Sequence, residues 1–331
     1  MKICVLDPGL QTQDGAPSTN LGDLIIQDAV SREIARLFPD AEKYHYATHS
    51  PLTKERLASL SQMDVILVGG TNLLTSRFRP WNRWNETYQC WSNQWSINLL
   101  EAMKIRRAVL LGTGWVQYQG TPDFFTKLMY GSALNKQGFH SVRDAYSYAK
   151  LNESGISNVL NTGCVTMWGF AEMDMDTIPE TKGENALLML TDYKKDHKLD
   201  SQLLQILKER YKEVYAWPQG TEDASYLKEL EYSGVVLERS LQGLDTFIQS
   251  GVSFDYIGTR LHGGMRCLQN QRRALIIEVD NRATEIAKDT GLPTVKRDDF
   301  ATVSGCIEGA VRPSIHLPLD AIAQWRGQFK K

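Results

Sequence analysis

The sequence lacks an excess of charge of either sign, and it lacks any long apolar run. Its 37 basic and 39 acidic residues leave a formal net charge of -2. That balance argues against a nucleic-acid binder, because such proteins usually carry a basic field. No apolar stretch approaches the ~20 residues that span a bilayer. The N-terminal MKICVLDPGL is interrupted too early, at Asp7 and Pro8, for a signal peptide. These absences predict a soluble, cytoplasmic protein.

Motifs for metals and nucleotide cofactors are missing as well. The cysteines are odd in number, scattered and without a CxxC spacing: Cys4, Cys90, Cys164, Cys267 and Cys306. Reduced core residues are expected from this pattern, with neither a zinc site nor a disulfide framework. Neither a GxGxxG nor a Walker motif occurs, so a dinucleotide cofactor and a P-loop are unsupported. The sequence therefore predicts no metal and no cofactor.

What the sequence does contain is an alternation of short apolar runs and helical patterns. The runs KICVLD and MDVILVGG read as buried strands, and LGDLIIQDAVSREIARLF has apolar residues at helical spacing. Such alternation implies parallel sheets, and 331 residues suit two α/β domains. We expect an N-terminal domain over 1–172, an acidic linker over 173–185, a C-terminal domain over 186–316 and a terminal helix within 317–331.

Glycine-rich turns follow several of the predicted strands. They comprise Gly69–Asn72, Gly112–Gly114 and Gly263–Gly264. Each turn alone is explained equally well as a tight strand-to-helix connection. In open parallel sheets, however, ligands gather at the carboxyl ends of the strands, and between two such domains the cleft is the default site. Three such turns therefore favour backbone that closely approaches an anion.

The stretch YIGTRLHGG joins a predicted strand to a predicted helix. Arg260 there can offer a planar, bidentate donor to a carboxylate or phosphate. His262, in the first turn of the helix, can transfer a proton near neutral pH. A surface cation and a structural histidine are the ordinary alternatives, and the end of a strand makes both less favoured.

Two further segments have the same placement. In SVRDAYS, Asp144 is expected to cap a helix, which would leave Arg143 to face the cleft. In STNLGDLIIQDA, Asn20, Gly22 and Asp23 open the first helix. Asp23 is explained equally well as a first-turn acid that the helix dipole favours.

The segment over 77–95 holds half of the eight tryptophans and three arginines. Three interpretations stay open for it: a packed subdomain, a dimer contact, or flat aromatic faces that stack on sugar rings.

Taken together, the motifs resemble the polysaccharide pyruvyl transferase family. The similar stretches are NLGD, VGGTNL, SVRDAYS, NTGCVTMW, GTRLHGG and IIEVDNRATEIAKDTGLP, in the order of the family. The resemblance implies a GT-B-like pair of Rossmann-type domains with parallel sheets facing a central cleft. It also implies transfer of a pyruvyl group from phosphoenolpyruvate onto two hydroxyls of a sugar in a cell-surface glycan or exopolysaccharide, or in its precursor.

The resemblance also implies residue roles. Arg260 and Arg143 would hold the donor, and His262 would be the general acid. The full set predicted for phosphoenolpyruvate is Arg143, Arg260, Leu261, Gly263, Gly264, Asn20, Gly22 and Asp23. The set predicted for the acceptor is Gly70, Thr71, Asn72, Trp81, Trp84, Trp95 and Trp115. The expected partners are the donor, a sugar or glycan acceptor and, if that acceptor is lipid-linked, a peripheral membrane contact.

Two departures from the family pattern stand out. The loop over 7–23 is longer than the family's short turn. Where family members often carry an arginine, this chain reads LTDYKKD, and Lys194 or Lys195 would have to substitute. Two alternatives to the pyruvyl transferase are kept. One is a GT-B nucleotide-sugar glycosyltransferase, with Glu278 or Asp280 on the ribose, and the other is a non-catalytic glycan-binding module.

Overall fold

The computed structural model describes residues 1–86, 90–310 and 313–330, with Cys90 described by its backbone alone. The chain forms two compact units. Unit 1 comprises residues 1–18, 26–168 and 317–331, and unit 2 comprises residues 19–25 and 169–316. Residues 87–89 of the predicted tryptophan-rich insertion lie outside the described residues.

Strands and helices alternate through unit 1. In chain order they are β1 (Lys2–Asp7), α1 (Leu21–Leu37), β2 (Glu42–Ala47), α2 (Lys54–Ser59), β3 (Val65–Gly69), β4 (Asn72–Leu74), β5 (Trp84–Asn85), β6 (Cys90–Trp91), α3 (Leu99–Ile105), β7 (Ala108–Leu111), β8 (Gly114–Trp115), α4 (Phe124–Ala133), β9 (His140–Val142), α5 (Ala145–Glu153) and β10 (Val159–Asn161). The first residues of α1 belong to unit 2.

A parallel sheet of order β2-β1-β3-β7 forms the centre of unit 1. Its inner strands are apolar on both faces, as expected for a sheet covered on both sides. One face packs against α1, whose Ile26, Val30 and Ile34 are buried with Val5 and Leu67. The C-terminal helix α12 (Leu319–Gly327) returns to this face, where the Trp325 indole donates to the carbonyl of Leu110 at 3.1 Å.

Unit 2 repeats the architecture. Its elements are β11 (Asn185–Met189), α6 (His197–Arg210), β12 (Val214–Ala216), α7 (Asp223–Glu229), α8 (Leu241–Gln249), β13 (Phe254–Gly258), α9 (Leu261–Gln269), β14 (Ala274–Glu278), α10 (Asn281–Thr290), β15 (Thr294–Lys296) and α11 (Phe300–Glu308). The sheet order is β12-β11-β13-β14-β15, and every pairing is parallel.

The predicted α/β fold with parallel sheets is therefore confirmed. Several elements of the structure were not predicted from the sequence, including β2, α2, α4, α7 and α11. Within the described part of the chain, no helix combines the length and apolarity needed to cross a membrane.

Candidate functional site

Five buried side-chain oxygens find no hydrogen-bond partner among the described residues. They belong to Thr48, Asn72, Thr113, Thr191 and Gln219. Each of these residues lies one to three positions beyond the end of a strand of the two parallel sheets: β2, β3, β7, β11 and β12 respectively. Because a buried oxygen without a partner costs free energy, each of these atoms calls for a partner such as a water or a ligand. Their distribution makes the carboxyl ends of the strands the candidate binding edge of each unit.

In unit 2, the best-defined group at this edge is Arg260, the residue before α9. Its guanidinium is buried, and its Nε donates to Asp223 Oδ2 at 3.0 Å and to the carbonyl of Leu190 at 3.2 Å. Its Nη2 donates to Asp192 Oδ1 at 3.0 Å and also contacts Asp223 Oδ1. The Tyr256 hydroxyl fixes the backbone of Arg260, accepting from its N–H and donating to its carbonyl.

Asp223 is the centre of this arrangement. Besides the two contacts from Arg260, its carboxylate accepts from the backbone N–H groups of Gln219, Gly220 and Asp192, at 2.9, 2.7 and 3.0 Å. A buried carboxylate with five donors is held in one orientation. It therefore fixes the direction of the Arg260 guanidinium as well.

These contacts engage Nε and Nη2 of Arg260 and leave its Nη1. No acceptor for Nη1 occurs within the described ranges. Asp192 and Asp223 bring two negative charges to the one positive charge of Arg260. What this group offers to an anion is therefore a directed N–H donor and not a net positive charge.

The ring of Tyr193 contacts two guanidinium groups at the same edge. Cζ of Arg260 lies 5.3 Å and Cζ of Arg282 lies 5.5 Å from the ring centroid. Such distances are typical of cation–π contacts. Arg282 also forms an ion pair with Asp280 at 2.6 Å. Half of the Tyr193 surface is exposed, at 49%.

Lys195 pairs through Nζ with Glu229 at 2.7 Å. The substitution of the family arginine by Lys194 or Lys195 stays a prediction. The second guanidinium that contacts Tyr193 belongs to Arg282, at the start of α10. For Lys194 the structure shows only a backbone contact, in which its carbonyl accepts from Arg297.

The NLGD segment joins this edge through Gln219. The Gln219 amide donates to Asn20 Oδ1 at 3.2 Å, and its carbonyl accepts from the N–H of Leu21. A side chain at Gly22 would come within 2.7 Å of the Gln219 amide nitrogen. Asp23, buried in the first turn of α1, accepts from the Asn20 amide at 3.2 Å. The structure thus brings Asn20, Gly22 and Asp23 to the same unit as Arg260.

His262 and its neighbours form the first turn of α9, and all are buried. The N–H of Gly264 donates to the Arg260 carbonyl, so it is occupied within the helix. The backbone N–H groups of Leu261 and Gly263 come before it in the first turn, where the helix itself has no carbonyl to accept them. The two glycines themselves are explained by packing. A side chain at Gly263 would collide with Met189, and one at Gly264 would lie 2.7 Å from Ile276 and Tyr256.

In unit 1, Arg143 follows β9. The predicted cap is confirmed, since Asp144 Oδ1 accepts from Ser147 N at 2.7 Å. The sequence predicted that Arg143 is left to face the cleft, but its side chain is buried. Its Nε donates to Asp144 Oδ2 at 2.9 Å, and its guanidinium is buried beneath Gly114. One carboxylate thus caps the helix and holds the arginine at once. The assignment of Arg143 to the donor stays a prediction.

The glycine-rich turn after β3 is strained. Gly70 and Thr71 have φ of 46° and 61°. The second value is an outlier for a β-branched residue, and such strain concentrates at functional sites. Asn72, with its unpartnered Oδ1, follows directly. The role of Gly70, Thr71 and Asn72 toward the acceptor stays a prediction.

The four tryptophans assigned to the acceptor divide into two groups. Trp95 and Trp115 lie in the hydrophobic core of unit 1, and the exposed fraction of Trp115 is 0%. A side chain with no exposed surface cannot stack on a sugar, so these two are packing residues. Trp81 and Trp84 are exposed, at 65% and 42%.

The two aspartates that position Arg260 were not predicted from the sequence. Asp192 lies three residues after β11, so the strand-end rule that selected Arg260 would have found it, whereas Asp223 opens α7, beyond the reach of that rule. Glu278, proposed for a ribose, accepts from Thr284 and Thr294, and Asp280 pairs with Arg282. Throughout residues 1–86, 90–310 and 313–330, no three histidine, cysteine, aspartate or glutamate side chains are grouped to hold a metal ion.

The chain is similar to known proteins both in sequence and in fold. Residues 20–281 match the model of the family described as polysaccharide pyruvyl transferase. None of the curated proteins matches the sequence. Among solved structures, the S. aureus MnaA–UDP co-structure is similar over 95% of this chain and 92% of that chain, at 11% identity and a TM-score of 0.51. This likeness shows the predicted GT-B-like fold.

Two further structures are similar at lower scores. The E. coli heptosyltransferase WaaC with ADP-2-deoxy-2-fluoro heptose is 10% identical, with 84% of this chain and 88% of that chain covered and a TM-score of 0.37. Arabidopsis thaliana UGT89C1 complexed with UDP-L-rhamnose is 12% identical, with 99% and 93% covered and a TM-score of 0.38.

Proposed function

The chain belongs to the polysaccharide pyruvyl transferase family and is therefore an enzyme, and we propose that it transfers a pyruvyl group from phosphoenolpyruvate onto two hydroxyls of a sugar acceptor. The product would be a cyclic ketal on a cell-surface or exopolysaccharide glycan or on its precursor, formed in the cytoplasm. The observation that carries this proposal is the fixed Arg260 guanidinium, whose Nη1 stays unoccupied in the described chain, two residues from His262.

Phosphoenolpyruvate carries two anionic groups that the protein must bind. Its phosphate and carboxylate need N–H donors, which Nη1 of Arg260 and the first turn of α9 can supply. The α9 helix dipole favours an anion at the same end. Because Asp223 holds the guanidinium in place, little reorganisation is needed when the donor binds.

The chemistry begins at the methylene carbon of the donor. In the proposed mechanism His262 gives a proton to this carbon, and positive charge develops at C2. A sugar hydroxyl attacks C2 and loses its proton, and phosphate then leaves with the electron pair of its bond to C2. The second hydroxyl attacks the same carbon, loses its proton and closes the ketal. General acid catalysis of the first step is worth about 10²–10⁴-fold in rate.

The acceptor is assigned to unit 1. The supporting features are the strained turn at Gly70 and Thr71, the unpartnered oxygens of Asn72 and Thr113, and the exposed Trp81 and Trp84. Unpartnered oxygens suit a ligand rich in hydroxyl donors, and flat indole faces suit sugar rings. The lipid-linked form of such an acceptor would bring the enzyme to a membrane surface.

Thermal unfolding with phosphoenolpyruvate tests the donor assignment. Ligand at 100 times its dissociation constant stabilises a protein by about 2.7 kcal/mol. We expect this stabilisation in the wild type and in His262→Gln, and we expect its loss in Arg260→Lys, which keeps the charge but not the planar donors. Each variant is compared with itself without ligand, so a change in its own stability does not interfere. Stabilisation by a nucleotide-sugar and none by phosphoenolpyruvate would contradict the proposal.

A further inference from the structure

The outer surface of helices α3 and α4 in unit 1 carries large apolar side chains that are exposed. The two helices pack against each other, and their inner residues belong to the hydrophobic core on the face of the sheet opposite to α1. Their exposed apolar residues are Leu100, Met103, Phe124, Phe125 and Leu128. Leu100 and Phe124 are 60% and 73% exposed. Single exposed apolar residues are ordinary, but a group of five on neighbouring helices marks a surface that another molecule covers. We call this surface the α3–α4 face.

Each of the two helices also presents a lysine on this face. Positions three and four apart lie on the same side of a helix. The residues at this spacing are Leu100, Met103 and Lys104 in α3, and Phe124, Lys127 and Leu128 in α4. Both lysines are exposed. Apolar and cationic side chains therefore project together from each helix.

The segment that follows β4 adds two arginines beside the helices. Its backbone is bonded to both of them: the N–H of Phe78 donates to the Thr126 hydroxyl of α4 at 2.9 Å, and the carbonyl of Pro80 accepts from the first N–H of α3 at 3.2 Å. Arg77 and Arg79 flank Phe78 and are exposed. The cations thus come from three successive parts of the chain.

Acidic neighbours do not neutralise these cations. Among the described residues, neither lysine and neither arginine forms an ion pair within 4 Å. From residue 77 to residue 136 the chain carries eight basic and three acidic residues, whereas the whole chain carries 37 and 39. Two of the three acids are engaged in helix caps, since Glu101 accepts from Asn98 N and Asp123 accepts from Thr126 N. The α3–α4 face therefore has a local excess of positive charge in a chain whose net charge is negative.

This combination of side chains indicates what covers the face. Exposed phenylalanine and leucine beside lysine and arginine are typical of surfaces that bind anionic bilayers, where apolar side chains enter the headgroup region and cations stay at the phosphates. In a symmetric dimer, a second copy of the chain would place the same cations opposite one another, which is unfavourable. Charge complementarity therefore favours a lipid surface over a second copy.

We propose that the α3–α4 face docks the protein on an anionic phospholipid bilayer, with Leu100 and Phe124 in the headgroup region and Lys104 and Lys127 on the lipid phosphates. Because α3 leads directly into β7, it runs antiparallel to that strand, and its first turn lies toward the carboxyl edge of the sheet. A lipid-linked acceptor in the same bilayer would thus lie near the candidate binding edge of unit 1. This link to the acceptor rests on the proposed function, whereas the docking does not.

Co-sedimentation of the full chain with lipid vesicles tests the docking. Vesicles of equal parts phosphatidylglycerol and phosphatidylcholine are compared with vesicles of phosphatidylcholine alone. We expect the wild type to bind only the anionic vesicles, and to bind them less as salt is added, because salt screens the charges. Lys104→Gln combined with Lys127→Gln should weaken binding about 30-fold, since each cation near an anionic surface contributes roughly fivefold. Leu100→Gln combined with Phe124→Gln should weaken it by at least ~10-fold.

Two variants away from the α3–α4 face provide matched controls. Leu319 is 55% exposed on α12, which covers the opposite face of the sheet, and Lys43 is exposed on β2. Leu319→Gln and Lys43→Gln should bind the anionic vesicles as the wild type does. Because every substituted side chain is exposed, all of these variants should unfold at the wild-type urea concentration.

The outcomes separate this inference from the proposed function. A wild type that binds neither kind of vesicle, or both equally, would overturn the docking, and so would wild-type affinity in the two double variants. A wild-type dimer that Leu100→Gln with Phe124→Gln converts to a monomer would assign the face to a second copy, which also contradicts it. Thermal stabilisation by phosphoenolpyruvate should be the same in every variant. A wild type that binds anionic vesicles but gains no such stabilisation would overturn the proposed function and leave the docking in place.

Discussion

Asp223 and Arg260 form a bidentate, buried ion pair across 37 residues of sequence, with Nε and Nη2 each directed to one carboxylate oxygen. The same carboxylate accepts three backbone N–H groups from the ends of β11 and β12. Asp223 therefore connects three neighbouring parts of the unit 2 edge. The direction in which Arg260 presents its remaining nitrogen is a property of this network, not of the arginine alone.

The first prediction concerns Asp223→Asn. Removing one partner of a buried ion pair leaves the other charge uncompensated, which typically costs about 3–5 kcal/mol. We expect a loss of this size in the free energy of unfolding, measured in urea, together with loss of the stabilisation by phosphoenolpyruvate. Asp192→Asn is the control, because Asp192 is more exposed and makes fewer contacts with Arg260. Equal stabilities for wild type and Asp223→Asn would show that the network contributes nothing.

The second prediction concerns the space above Arg143. A methyl group at Gly114 would collide with the guanidinium, which is buried and paired with Asp144 and so cannot swing away. We expect Gly114→Ala to destabilise unit 1 by about 1–3 kcal/mol through overpacking. Gly131→Ala provides the contrast: this glycine lies inside α4 with no atom within 4 Å of the added carbon.

Alanine inside a helix is favoured over glycine by roughly 0.5–1 kcal/mol, so Gly131→Ala should be neutral or more stable. Urea unfolding of the two variants side by side decides the matter. If Gly114→Ala unfolds at the wild-type urea concentration, the guanidinium is not confined where the structure places it.

The third prediction concerns the acid stability of unit 1. His140 is buried on β9, where Nδ1 accepts from Leu110 N at 3.3 Å and Nε2 donates to the Asn135 carbonyl at 2.8 Å. Burial lowers the pKa of His140 from 6.5 to about 4, although the bond to Asn135 acts in the opposite direction. A protonated ring could not accept from Leu110, so the folded protein holds the neutral form.

Between pH 6.5 and 4 the unfolded state binds this proton and the folded state does not, so the stability contributed by neutral His140 falls as the pH falls. The loss should total about 3 kcal/mol by pH 4. His140→Gln should be less stable than the wild type at pH 7 and should lose less stability across this range. Parallel pH dependence in the two proteins, measured by urea unfolding, would contradict the assignment.

The sequence predicted the fold where apolar runs were continuous and failed where they were not. β1 and β3 are apolar inner strands, and their patterns identified them. β2 reads EKYHYA and lies at the edge of its sheet, with its first two residues exposed. Polar edge strands carry little periodic signal. Because β2 was missed, the contact between His45 and Asp7 on the neighbouring strand β1 was not predicted.

The candidate site was predictable to the same degree. The rule that ligands gather at strand ends selected Arg260, His262 and Arg143. It could not show that Asp223 and Asp144 engage the two arginines, because each partnership depends on how strands and helices pack. The tryptophans illustrate the same limit, since composition alone cannot distinguish the buried Trp95 from the exposed Trp81.

The return of α12 to unit 1 has a consequence for the order in which the protein is made. The Trp325 ring stacks edge-to-face on Trp168 at 5.6 Å, and Arg326 pairs with Glu33 at 2.7 Å. These contacts close the face of the sheet that α1 covers. About 150 residues of unit 2 separate Trp168 from this helix. At about 5–20 residues per second, the ribosome needs roughly 7–30 s to synthesise them. The unit that begins the chain is thus the last to complete its core, and unit 2 has all its residues first.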